Sequence, residues 1–90
     1  MFNVSISVED NKVLGELIVD SYFFEPVKYE YAFYLYKDGE RIDTVWYTKS
    51  MDVIFDLKGM TGVFFVKAFI KDIEHGDTRN YNSEKISINN

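Results

Sequence analysis

The sequence predicts an all-β fold, an antiparallel sandwich of seven short strands forming one domain over residues 1–90. Three observations carry that expectation. Apolar and polar residues alternate with a period of two in segment after segment, the mark of strands with one buried face. Glycine, asparagine and aspartate clusters punctuate the chain between those segments. No stretch of useful length repeats its apolar residues at the helical spacing. With 47% hydrophobic and 18% aromatic residues, the chain carries enough apolar surface to offset its conformational entropy on folding.

The strands follow in order. Phe2, Val4, Ile6 and Val8 alternate with Asn3, Ser5 and Ser7 in the first. Glu9-Asp10-Asn11-Lys12 is a polar turn, and Val13 to Asp20 forms the second, with Val13, Leu17 and Val19 on one face. Gly15 leaves a gap on that strand, which predicts a bulge or the close approach of a neighbour. Ser21 to Lys28 is an apolar loop holding Tyr22, Phe23, Phe24 and the sole proline, Pro26, whose missing amide argues against a central strand.

In the third strand Tyr29, Tyr31, Phe33 and Leu35 share one face, and Glu30, Ala32, Tyr34 and Tyr36 the other. Lys37-Asp38-Gly39-Glu40 predicts a tight hairpin, because Asp-Gly supplies the positive φ of the favoured two-residue turns. Arg41 to Tyr47 returns as the fourth strand, and Met51, Val53, Phe55 and Leu57 mark the fifth. After the glycine-punctuated turn Lys58 to Gly62, Val63 to Lys71 is the sixth, with Phe64, Val66, Ala68 and Ile70 on its apolar face. Asp72 to Thr78 is a polar loop, and Ile86 and Ile88 define the last strand. Seven strands in 90 residues is the size of an immunoglobulin-like or fibronectin type III-like domain, whose two sheets are joined by Greek-key connections.

Two stretches, YAFYLYKDGERI (Tyr31 to Ile42) and FDLKGMTGVFFVKAFIKD (Phe55 to Asp72), carry a family resemblance. The second resembles the end of the bacterial "three Y" domain, a fibronectin-III-like module in which a leucine precedes a glycine turn and an aromatic strand ends near an acidic loop. Leu57, Gly59, Gly62, Phe64, Val66 and Asp72 occupy those positions. Phe33 and Phe64 stand where the pattern carries hydroxylated rings. The resemblance implies a noncatalytic accessory domain of a larger sensor, cell-surface or polysaccharide-related bacterial protein. A strand pattern beginning directly at Met1 fits either a short natural protein or, the preferred reading, a domain excised from a longer one, and no linker is expected unless Asn89-Asn90 begins one.

Composition narrows the function. Net charge is −5, so the summed field repels phosphate backbones, and no Lys/Arg run supplies a nucleic-acid footprint. No segment approaches the roughly 20 apolar residues of a membrane-spanning helix, so no membrane insertion is expected. The absence of cysteine excludes disulfides and thiolate metal sites while leaving the compartment open. His75 is the lone histidine and has no second histidine, cysteine or nucleophile motif to serve. Asp72, Glu74 and Asp77 lie close together but lack the order of acids of a calcium loop. No enzymatic activity, metal or cofactor is expected.

What remains are aromatic surfaces. Tyr29 to Tyr47 holds seven aromatic residues in nineteen, more than one buried face requires. Alternation turns Tyr34 and Tyr36 outward, and likewise Phe65 and Phe69 between Lys67 and Lys71. In the expected fold the third and sixth strands are neighbours, so these four rings form one outward patch, which Trp46 or Tyr47 extends according to register. Such a patch either stabilises the sheet under lysine stems, or meets another domain or a protein partner, or stacks a glycan. A second candidate is the end formed by the loops Ser21 to Lys28, Thr48 to Ser50 and Asp72 to Thr78. There Tyr22, Phe23 and Phe24 either grip a partner or fold over the core as a lid.

Overall fold

The computed structural model describes residues 2–89, and within them the chain is all-β. Met1 and Asn90, on which the expectations of an excised domain and a linker bear, lie outside the described residues. The strands are β1 (Phe2–Glu9), β2 (Lys12–Val19), β3 (Tyr29–Lys37), β4 (Glu40–Thr48), β5 (Asp52–Asp56), β6 (Gly62–Asp72), β7 (Thr78–Asn82) and β8 (Ile86–Ile88), with one 3-10 turn at Pro26–Lys28. They make two antiparallel sheets. One is ordered β1-β2-β5, the other β4-β3-β6-β7, with β8 also on β6.

The two sheets pack face to face over the predicted alternation. Val4, Val13, Leu17, Val53, Phe55 and Leu57 enter the core from the first sheet and its edge; Tyr31, Phe33, Leu35, Phe64, Val66, Ala68 and Ile70 enter from the second. A Cβ on Gly15 would meet Val53 Cγ1 at 3.0 Å and Val66 Cγ1 at 3.5 Å. Because β2 pairs with both neighbours without a register break, this glycine marks a close approach, by its cross-strand partner Val53 and by Val66 from the facing sheet, and not a bulge.

The turns follow their local chemistry. Asp38 (φ 50°) and Gly39 (φ 84°) both take positive φ, and Lys37 pairs directly with Glu40. Asp10 and Asn11 do the same between Glu9 and Lys12. These are the two-residue turns whose twist suits a hairpin.

The described residues hold eight strands where seven are expected. The additional strand is β7, whose residues TRNYN are polar and exposed except at Tyr81. An edge strand needs backbone partners more than apolar alternation, so periodicity does not reveal it. β7 and β8 run in succession along one edge of β6. From Lys67↔Asn82 to Phe64↔Ile86, three steps on β6 face four on the partner, which is a bulge. Ser83, buried at that bulge, donates its amide to the Val66 carbonyl at 2.8 Å, and its hydroxyl accepts the Val66 amide at 2.9 Å. One residue thus satisfies both backbone groups of Val66 where the ladder slips.

Candidate functional site

The pairing of β3 with β6 sets Tyr36 opposite Phe65, Tyr34 opposite Lys67 and Ala32 opposite Phe69. On this outward face Tyr36 and Phe65 stack with centroids 4.6 Å apart and planes 4° from parallel. Tyr34 meets Phe69 at 4.6 Å, and the two tyrosine rings stand 6.4 Å apart. The four side chains are therefore one half-buried aromatic row. Each such pair contributes about 0.5–1.5 kcal/mol beyond the area it buries.

Cations roof the row. The Arg41 guanidinium sits 4.6 Å over the Tyr34 ring, and Lys67 Nζ lies 6.0 Å from the Tyr36 and Phe69 centroids. Arg41 reaches its ring because the two-residue turn pairs it with Tyr36 on the neighbouring strand, diagonal to Tyr34. Between Phe33↔Val45 and Tyr31↔Thr48, the single Ala32 of β3 faces both Trp46 and Tyr47 of β4. The bulge removes the choice between those two rings. Tyr47 lies 5.5 Å beneath Lys71 Nζ, and Trp46 packs edge-on against Tyr47 at 5.2 Å while staying 65% exposed. Burial first, then the nearby Tyr34 and Glu30, raises the Tyr47 phenol above its ordinary pKa.

At the loop end, hydrogen bonds tie the three loops together. Lys49 Nζ donates to the Val27 carbonyl at 3.0 Å and the Ile73 amide to the Lys28 carbonyl at 3.1 Å. The buried Tyr31 hydroxyl donates to the Pro26 carbonyl at 3.0 Å, anchoring the loop, and desolvation raises this phenol too. The aromatic trio divides. Phe24 turns inward, stacked on Tyr29 at 4.9 Å and edge-on to Phe2 at 5.5 Å. Tyr22 and Phe23 are essentially fully exposed, so only Phe24 acts as the lid. Between the sheets at this end lies a cavity of about 310 Å³ bordered by Phe2, Phe23, Phe24, Tyr29, Asp77 and Arg79, among others.

The Asp72 to Thr78 loop is held from within. Asp72 Oδ1 accepts the amides of Glu74 and His75 at 2.9 and 3.1 Å, while Oδ2 meets His75 Nδ1 at 2.9 Å. The Asp72 carboxylate raises the His75 pKa by hydrogen bond and charge, and the bond to His75 lowers that of Asp72. The pair's stabilisation is therefore full below the ordinary imidazole value of 6.5 and fades as pH rises through the raised value. It is lost on the acid side only as pH falls through the depressed Asp72 value, below 3.8. Melting temperatures of wild type and His75→Ala should accordingly separate at pH 5 and draw together as pH rises past the raised imidazole value, a small difference for so exposed a pair. A difference that persists at high pH would assign His75 another role. Among the described residues no group of three or more His, Cys, Asp or Glu side chains is placed to hold a metal ion.

Comparison with family models, curated proteins and solved structures finds no match to this chain.

Proposed function

We propose that the chain is a noncatalytic interaction or spacer domain of a larger bacterial protein, with the face of Tyr34, Tyr36, Phe65 and Phe69, flanked by Trp46, as its contact surface. The observation that carries this reading is the contiguous aromatic row on one sheet face, continued by a tryptophan that is 65% exposed. Apolar surface concentrated this way favours a partner that covers it. Arg41, Lys67 and Lys71 add positive charge over the rings, so the partner surface is expected to be apolar with carboxylates at its rim.

A fibronectin type III-like Greek key is the finer fold we assign. The first, second and fifth strands share one sheet and the third, fourth and sixth the other, with β7 and β8 counted as two halves of a seventh strand. That distribution supports the assignment. The "three Y" resemblance draws support from the buried Leu57, Phe64 and Val66 around a turn in which Gly59 and Gly62 take positive φ.

A glycan laid on the same face is the alternative, and it would have to displace the guanidinium above Tyr34. Sedimentation equilibrium of the wild type beside a Tyr34→Ser/Phe69→Ser variant tests the interface. Concentration-dependent association is expected for the wild type, at least about tenfold weaker in the folded variant. Identical monomeric behaviour of both would remove this face as a self-contact surface.

A further inference from the structure

We infer that the cavity at the loop end is a separate binding site for one neutral pyranose unit of a glycan. It shares no residue with the outward aromatic face and goes beyond the interaction role proposed for that face. The walls carry two kinds of chemistry. Phe24 packs on both Phe2 and Tyr29 to form the aromatic side, and Phe23 borders the cavity with 92% of its surface exposed. Asp77 and Arg79 border the same cavity. Arg79 pairs with Ile70, which is buried in the core, so Arg79 leaves the edge strand on the core side, where the sandwich opens.

Among the described residues neither the Asp77 carboxylate nor the Arg79 guanidinium takes part in an ion pair. Neither side chain has a hydrogen-bond partner there either, whereas the neighbouring Asp72 carboxylate is occupied by His75 and two amides. The cavity therefore offers one unengaged acceptor group and one unengaged fork of donors beside flat aromatic surface.

A pyranose matches each of these. Its C–H faces stack on rings, and vicinal hydroxyls donate to a carboxylate and accept from a guanidinium. Asp72 lines the cavity as well, but its carboxylate is taken up by His75 and two amides, so the unengaged charges that remain are opposite and equal and favour a neutral polar ligand over an ion. The chain's net charge of −5 further disfavours phosphates and acidic sugars. A volume of about 310 Å³ accepts one six-membered ring and is small for an extended peptide. An apolar side chain from a protein partner would use the rings and leave Asp77 and Arg79 idle.

The test is an amide chemical-shift titration with neutral oligosaccharides built on glucose, mannose, galactose, xylose and N-acetylglucosamine. Saturable shifts with at least one of them are expected at millimolar concentration or below, concentrated at Phe23, Phe24, Tyr29, Asp77 and Arg79. Phe23→Ala and Arg79→Ala alter exposed positions outside the hydrophobic core, so their spectra should stay folded while affinity drops roughly tenfold. Tyr34→Ser/Phe69→Ser should leave the titration unchanged, which separates this site from the outward face. Absence of saturation with every sugar overturns the inference. So does binding that Arg79→Ala leaves intact, or shifts confined to Tyr34, Phe65 and Phe69.

Discussion

Replacing Phe33 with alanine should lower the unfolding free energy by about 3–5 kcal/mol, a large share of the 5–15 kcal/mol expected of a small domain. Phe33 has no exposed surface and lies in the middle of β3, between β4 and β6. Its ring is enclosed by core side chains from both sheets, so truncation leaves a cavity that a paired sheet can only partly close. The adjacent residue supplies the comparison. Tyr34 projects to the other face, where Phe69 on β6 and Arg41 on β4 pack against it and leave it half-buried. Tyr34→Ala should cost less, about 2 kcal/mol, for the two ring pairs and the guanidinium contact it gives up. Denaturant titrations with unchanged slopes and separate midpoints would measure both. Equal losses at the two positions would contradict the division of β3 into a core face and an outward face.

Gly62→Ala should destabilise the domain by about 2 kcal/mol although the site lies in a turn at the head of β6. Two effects add there. Gly62 has φ 142°, a conformation that residues with a Cβ rarely adopt, and the new Cβ would meet Asp38 Oδ2 at 2.8 Å and Oδ1 at 3.1 Å. That carboxylate is fixed in place. Its Oδ1 accepts the Val63 amide at 3.0 Å, its Oδ2 accepts from Lys37 Nζ at 3.0 Å, and the Asp38 amide donates to the Val63 carbonyl at 2.8 Å. The Val63 bond first, then Lys37, holds the Asp38 carboxyl below its ordinary pKa. Asp38 thus fastens the β3–β4 turn to the start of β6, and an alanine methyl forces it to release one of these bonds. Gly39→Ala in the same turn has φ 84° to overcome but nothing within 4 Å of the new Cβ, and should cost about 1 kcal/mol. Thermal melts of the two variants isolate the contribution of the Asp38 contact, and indistinguishable midpoints would refute it.

Much of this architecture is legible in the chain because its causes are local. Val13 and Leu17 on β2, or Phe64, Val66, Ala68 and Ile70 on β6, alternate because a strand presents successive side chains to opposite sides. Asp38-Gly39 turns where it does because those residues accept positive φ. β7 escapes this logic. Its pairing with β6 runs through the backbone, which the identities of Thr78, Arg79 and Asn80 do not encode. The eighth strand therefore emerges only when the edge of β6 is available to be paired.

The candidate surfaces divide in the same way. That Tyr34, Tyr36, Phe65 and Phe69 leave the core follows from alternation alone, but the 4.6 Å contacts between them depend on the register of β3 against β6. The place of Trp46 beside Tyr47 depends on a bulge that sets two residues of β4 against Ala32, and no feature of WY in the sequence announces it. Likewise Tyr22, Phe23 and Phe24 are equivalent as a string of rings. Only packing against Phe2 and Tyr29 separates the half-buried Phe24 from its two exposed neighbours.

By itself, the sequence determined the all-β class, the faces of the principal strands and the tight turns, because each rests on the steric preferences and hydropathy of residues close along the chain. Tertiary structure alone decided the edge pairing at Ser83, the cations over the outward rings, and the meeting of Phe24, Tyr29, Asp77 and Arg79 around one cavity. Those contacts join residues of different elements, and their geometry is set when strands take their register and two sheets close over a shared core.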